Sequence, residues 1–348
     1  MEIYLPIAGI YINIFYIIAL GLVVGFFSGM LGIGGGIILN PVLIKLGVPP
    51  IVTVGSSIAQ MVGATVSGFI SHLKLKNIDL KMGWIMVFSG FFGGGIGVIL
   101  AKYLEELGHF KEVVLSFYTF YLGFTGITML VDFLKHKKKE KKESKLTIFI
   151  KNLPLKMKFQ FTEVSIFVPV GIGFTAGFLA AIMGVGGGFV IIPALIYLAN
   201  FPVNKAIGMS LFQMIFVTSF LTYFHATVNM GVDIVLALIL MIGSSFGAVF
   251  GAAVGQMIKK EYTKLILALL VLTVSVISFY QLFFEKKSPK PEMSISHNLI
   301  SDFAVNHPSL YAVSVIIVSL VVGTIISMVT HRLKVLIEIY LEKRKFSK

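Results

Sequence analysis

The chain has 348 residues, 57% of them hydrophobic and only 13% charged, with a net charge of +13 and a mean hydropathy of +0.94. A charged share about half that of soluble domains, set between long apolar runs, excludes a water-soluble fold, and with no RNA- or DNA-binding signature the basic charge does not point to nucleic acid. The absence of cysteine excludes disulfides, thiolate metal sites and redox dithiols, and no metal or other cofactor is expected.

Eleven apolar segments follow one another. The first five are 10–31, 37–47, 51–73, 79–104 and 111–134, and they make up a first transmembrane repeat, 10–134. A basic loop, 135–163, separates them from 164–184, 189–200, 204–226, 233–258 and 262–284, the second repeat, 164–284. A polar loop, 285–308, leads to an extra transmembrane helix at 309–330, and a basic tail, 331–348, follows. A span needs roughly 20 mostly apolar residues, and neither Ile234–Ile258 nor Ser309–Val329 contains a charge. The first basic residue is Lys45, so the first run lacks the positive flank of a signal peptide.

The two sets of five share ordered landmarks. Gly32-Ile-Gly34-Gly35-Gly36 matches Gly184-Val-Gly186-Gly187-Gly188, and Pro41 and Pro193 each follow the last glycine by five residues. Gly55-Ser56-Ser57-x-x-Gln60 matches Gly208-Met209-Ser210-x-x-Gln213. His72 and His225 come twelve residues after their glutamines, and Gly93-x-x-x-Gly97 matches Gly247-x-x-x-Gly251. The offset drifts only from 152 to 154, as a duplication would leave it.

Charge sets the expected orientation. With the N-terminus outside and a reversal at each segment, 23 Lys/Arg fall inside and 6 outside, which fits the positive-inside rule and puts the loop 135–163 and the tail in the cytoplasm. Five segments per half is an odd number, so the second half enters from the opposite side. The expected fold is an all-α polytopic protein of two inverted five-segment repeats. Segments 37–47 and 189–200 are short for a span. Each is read either as a short crossing or as a re-entrant return of the helix before it, and both readings keep the parity.

Consecutive glycines are poor helix formers, each weaker than alanine by about 1 kcal/mol. In hydrocarbon, irregular backbone is tolerated only where it is buried in protein or lines a cavity. Gly34–Gly36 and Gly186–Gly188 are therefore expected to break the chain at depth and to start short helices, whose N-terminal N–H groups favour an anion. The plainer alternative is close helix crossing, and that reading is taken for Gly93/Gly97 and Gly247/Gly251. Pro41 and Pro193 fit first helical turns, with Asn40 as a cap in the first copy only. Ser56, Ser57, Gln60, Ser210 and Gln213 are neutral donors at helical spacing, suited to line an anion site or to bridge helices. His72 and His225 end their segments and are candidates for proton coupling or for plain interfacial residues. Asp79, Asp132 and Asp233 lie near segment ends, so no acidic relay stands at midspan. Enzyme signatures are missing: Ile37 stands where a dinucleotide fingerprint has its third glycine.

The duplicated glycine turn with its proline, followed by glycine with small hydroxyl residues, resembles the TauE/SafE sulfite exporter family across roughly 15–134 and 165–284. The resemblance implies a secondary transporter for sulfur-containing anions, driven by an ion gradient, in the cytoplasmic membrane. By motif match it carries Gly34–Gly36, Pro41, Ser56 and Ser57 as the first signature and Gly186–Gly188, Pro193 and Ser210 as the second. Met209 departs from the pattern, where a small hydroxyl residue is expected. Both arginines, Arg332 and Arg344, lie in the tail, so no bidentate clamp is available in either repeat. An anion channel and a non-transporting scaffold are the competing readings.

Overall fold

The structure, a computed structural model, describes residues 1–31, 34–135, 153–199, 201–257, 260–284 and 298–346. Most of the basic loop and residues 285–297 of the polar loop lie outside the described residues. Among those described, twelve helices and two small antiparallel hairpins are found. The first hairpin, β1 (Glu2–Leu5) and β2 (Ile10–Asn13), runs straight into α1 (Ile14–Leu31). Then come α2 (Gly36–Lys45), α3 (Pro50–Lys74), α4 (Leu80–Glu106) and α5 (Phe110–Lys135). The second hairpin, β3 (Lys156–Lys158) and β4 (Glu163–Ser165), precedes α6 (Phe167–Met183), α7 (Gly188–Leu198), α8 (Val203–Val228), α9 (Ile234–Met257) and α10 (Lys260–Phe283). The chain ends with α11 (Leu299–Asn306) and α12 (Pro308–Phe346).

Among the described residues, eight helices are long and apolar enough to cross a membrane, by length and composition: α1, α3, α4, α5, α8, α9, α10 and α12. The 10 residues of α2 rise about 15 Å, half of a bilayer core.

The fold is helical as expected, with two small hairpins, β1–β2 and β3–β4, beside the helices. Some segment bounds need correction. Residues 10–13 are strand β2 rather than the start of a helix; an unbroken apolar run has no periodicity that separates the two. The polar loop 285–308 contains α11, started by a capping box of Asn298 and Ser301, and α12 carries the helix on through the tail to Phe346.

The halves interleave. α1 runs parallel to α9, with Gly21, Gly25 and Gly29 set in turn against Leu240, Ser244 and Ala248. α6 runs parallel to α4, with Gly173 against Met86 and Gly177 against Gly90. A Cβ on Gly93, Gly247 or Gly251 would overlap the carbonyl oxygen of Phe174, Leu22 or Phe26, and one on Gly97 would lie 2.9 Å from that of Phe178. Those glycines serve backbone-to-backbone packing. α3 and α8 are antiparallel: Gly68 lies against Leu211 and Gly208 lies beside His72. α5 and α10 are antiparallel too, with Gly126 against Leu272 and the Ser275 hydroxyl donating to Thr119 O at 2.7 Å. α12 lies across α3, Gly323 on Gly63.

Candidate functional site

The glycine runs are turns, and each starts a short helix. Gly34 and Gly35 have φ of 85° and 75°; Gly184, Gly186 and Gly187 have 68°, 70° and 80°. This left-handed backbone is open to glycine at little strain. α2 begins at Gly36 behind Gly35, and α7 at Gly188 behind Gly187, and neither has a side-chain cap. Two local expectations fail as a result. Asn40 is not a cap, and Pro41 and Pro193 are the sixth residues of their helices rather than first-turn residues. The helices start at the turns themselves, earlier than proline preference alone places them.

The chain doubles back at each turn. Gly35 lies beside Val24 and Ser28 of α1, and Gly187 beside Ala176 of α6. The two turns also abut. A Cβ on Gly36 would overlap Gly184 O and lie 2.9 Å from Val185 Cα. The methionines at the junction are Met61 and Met214. A Cβ on Gly186 would lie 2.7 Å from Met61 Sδ and 2.8 Å from Met214 Cε, and one on Gly36 would lie 2.5 Å from Met61 Cε. The turns take up part of the leading N–H groups: those of Gly36, Ile38 and Leu39 donate to the carbonyls of Gly34 and Gly35, and those of Val190 and Ile191 to Gly187 O, and two positive helix ends are set into this junction.

A polar network ties the first turn to the end of α6. Asn40 Nδ2 donates to Met183 O at 2.5 Å and to Gly184 O at 3.2 Å. The Ser57 hydroxyl donates to Asn40 Oδ1. The Tyr118 hydroxyl lies 2.8 Å from Met183 O and 3.2 Å from Gly36 O, sharing its proton between them. All three side chains are buried.

The remaining candidates spread outward. The Ser56 hydroxyl accepts from Asp233 N at 2.8 Å. Met209 holds the matching place, its sulfur accepting from Asp79 N at 3.2 Å, so the departure from the family pattern keeps an acceptor there. Gln60 Nε2 donates to Ser244 Oγ at 2.5 Å and Gln213 Nε2 to Gly173 O at 3.3 Å. Both amide oxygens are buried without a partner. The Ser210 hydroxyl has the sulfur of Met214 at 3.7 Å. His225 is buried with both ring nitrogens engaged: Nε2 donates to Ala181 O at 3.0 Å and Nδ1 accepts from Asn229 at 3.0 Å. His72, half-buried at the end of α3, has Asn77 Nδ2 3.2 Å from Nδ1. Neither histidine is brought to the turns by these bonds. Beyond the spans, burial pushes the Asp233 carboxyl up, and the N–H groups of Ile7, Leu236, Ala8 and Val235 pull it back.

The structure thus brings together Gly34, Gly35, Gly36, Gly186, Gly187 and Ser57, and adds Asn40, Met61, Met214 and Tyr118; Ser210 reaches the junction only through Met214 on its own helix. Met61 and Met214 directly follow the paired glutamines, so the repeat itself carried their signal. Tyr118 had none.

A family model described as sulfite exporter TauE/SafE matches residues 17–278. The chain belongs to the TauE/SafE sulfite exporter family. It is similar to the probable membrane transporter protein YunE of Bacillus subtilis, 27% identical over 206 residues, which span 56% of this chain and 72% of YunE. It is similar to the probable membrane transporter protein MJ0441 of Methanocaldococcus jannaschii, 25% identical over 203 residues, 56% of this chain and 66% of that protein. A shorter stretch of 89 residues, 25% of this chain and 20% of the relative, is 32% identical to sulfite exporter TauE/SafE family protein 6 of Arabidopsis thaliana. No solved structure matches. This TauE/SafE member is a multi-pass membrane protein of a transporter family, not of an enzyme family, and the family's description implies a small anionic substrate.

Proposed function

We propose that this TauE/SafE member is a secondary transporter that moves sulfite, thiosulfate or an organosulfonate across the cytoplasmic membrane by alternating access between two inverted repeats, coupled to an ion gradient. One observation carries the reading: two left-handed glycine turns, one from each half, abut in the interior and each starts a helix. Helix N-termini and neutral donors hold an oxyanion without fixing it as an arginine clamp would, which suits a carrier that must release its cargo.

The inverted reading is supported by helix direction. α3 and α8 are antiparallel, as are α5 and α10, and the pairing of α1 with α9 mirrors that of α6 with α4. The doubling back at Gly35 and Gly187 favours α1–α2 and α6–α7 as re-entrant pairs. With that topology, the 23-to-6 distribution of Lys/Arg favours an outside N-terminus and a cytoplasmic C-terminus.

The test is uptake of labelled sulfite, thiosulfate, taurine and sulfate into proteoliposomes, with and without a pH gradient. Saturable uptake with counterflow, lost in a folded Gly187→Leu protein, is the expected result. Currents without counterflow would indicate a pore. No flux of any of these anions would overturn the carrier reading.

A further inference from the structure

We infer that Asp233 and Asp79 are positioning residues of the transport cycle, each latching a β-hairpin that closes one end of the central site. This inference rests on the carrier reading above.

The two carboxylates are built alike. Asp233 Oδ1 accepts from Val235 N and Leu236 N at 3.1 Å, capping α9, while Oδ2 accepts from Ile7 N at 2.8 Å and Ala8 N at 3.3 Å in the turn between β1 and β2. Asp79 Oδ1 accepts from Met82 N at 3.0 Å, capping α4, while Oδ2 accepts from Gln160 N at 2.5 Å in the turn between β3 and β4. In each case one oxygen starts a helix and the other holds a hairpin. Each latch also crosses between halves. The first half's hairpin is held by the second half's carboxylate, and the second half's hairpin by the first half's. The two aspartates are 154 residues apart, within the drift of the repeat offset, and both are buried.

The hairpins stand at opposite ends. Asp233 donates its N–H to Ser56, the seventh residue of α3. Asp79 comes five residues after α3 ends at Lys74. The 25 residues of α3 span about 37 Å. Leu5, Ile7 and Ala8 are buried under the first latch. At the second, Phe159 is buried, Lys205 Nζ stands 3.6 Å from the Phe161 ring centre, and the Thr162 hydroxyl donates to Ala199 O at 3.0 Å.

These are the elements most easily moved. The paired helices α1/α9 and α4/α6 meet backbone on backbone, whereas a two-stranded hairpin has little stability of its own and stays shut through what it docks on. Moving parts come from the low-stability end of a fold. Because each latch joins the two halves, rocking one half against the other loads the two ends in opposite senses. In this structure both latches are closed.

The chain has no cysteine, so single cysteines report cleanly. Ala8→Cys sits under the first latch, and Ala199→Cys under the second hairpin. In the full-length protein in liposomes, a membrane-impermeant maleimide applied from either side should reach Ala8→Cys only from the first end and Ala199→Cys only from the other. Adding Asp233→Asn should speed labelling of Ala8→Cys about tenfold, the scale of one hydrogen bond to a charged group, and slow labelling of Ala199→Cys; Asp79→Asn should do the reverse. A purely structural carboxylate would change labelling at its own end alone, and that result overturns the inference. A second measurement leaves both carboxylates intact. Linking Ala8→Cys to Val235→Cys with a short cleavable bis-maleimide should stop flux, and cleavage should restore it. Full flux with the hairpin linked overturns the latch and leaves the carrier reading standing. No saturable flux by the unsubstituted chain overturns the carrier reading, and the latch with it.

Discussion

The two glycine turns share a backbone and differ in what surrounds it. Both are left-handed, both follow an apolar helix and both start a helix of 10 or 11 residues. Around the first, Asn40, Ser57 and Tyr118 form a buried hydrogen-bonded network that reaches to the carbonyls of Met183 and Gly184. At the second, Ile192 stands where Asn40 would be, and the Ser210 hydroxyl has a thioether for a partner. The difference separates two jobs that a symmetric repeat would merge. Glycine supplies the geometry in both halves. The fixed polar network, which joins the halves at one place, comes from the first half alone.

The largest expected contrast lies in the glycines themselves. A Cβ on Gly36 meets backbone of the other half, Gly184 O and Val185 Cα, neither of which can yield. One on Gly186 meets only the ends of Met61 and Met214, flexible side chains that can. Gly36→Ala is expected to destabilise the protein by about 3 kcal/mol or more and to abolish uptake. Gly186→Ala should lose about 1–2 kcal/mol, the strain of a left-handed alanine, and keep part of its flux. Denaturation in detergent and uptake in liposomes measure the pair. Equal losses would mean that the turns do not abut as described.

Asn40→Ile gives the first turn the second turn's residue. It removes the donor to Met183 O and Gly184 O and the acceptor of Ser57, leaving buried polar groups unpaired. A loss of about 1–3 kcal/mol is expected. If stability is unchanged, the network holds nothing together, and the contrast between the turns is only one of composition. Tyr118→Phe is a milder cut at the same network. Its hydroxyl is one donor shared between Gly36 O and Met183 O, and about 1 kcal/mol should go with it.

Much of the fold was legible because the landmarks are backbone-driven. Glycine triplets, long apolar runs and four-residue glycine spacing act through chain geometry, which sequence displays directly. Among the described residues every helix but α11 falls on one of the eleven apolar segments, and the breaks fall at the glycine turns just before Gly36 and Gly188. The first hairpin was hidden because Ile10–Ile12 lead into the apolar run of α1 and the second because it lies at the end of the basic loop, and strand pairing depends on a partner that periodicity does not name. At the site, Ser57 and Ser210 carried a signal through their place in the repeat. Tyr118 did not: it comes 61 residues after Ser57 and reaches the turns only through the packing of α5. Asn40 was visible as a polar residue, but its role follows from the approach of α6, a contact between halves.

The smallest effect separates support from transport most cleanly. Ser57 and Ser210 occupy matching positions, and removing either hydroxyl deletes a single oxygen. The Ser57 hydroxyl donates to Asn40, so Ser57→Ala is expected to loosen that side chain and lose about 1 kcal/mol. The Ser210 hydroxyl has a sulfur at 3.7 Å, a weak acceptor, so Ser210→Ala should leave stability within about 0.5 kcal/mol of the unsubstituted protein. Uptake should rank the other way. A donor held by Asn40 has little freedom to turn to a passing anion, whereas one held by a thioether can, so Ser210→Ala should raise the half-saturating concentration more than Ser57→Ala does. If Ser210→Ala leaves both stability and uptake unchanged, the second turn works through its backbone alone, and the neutral-donor part of the anion site belongs to the first half.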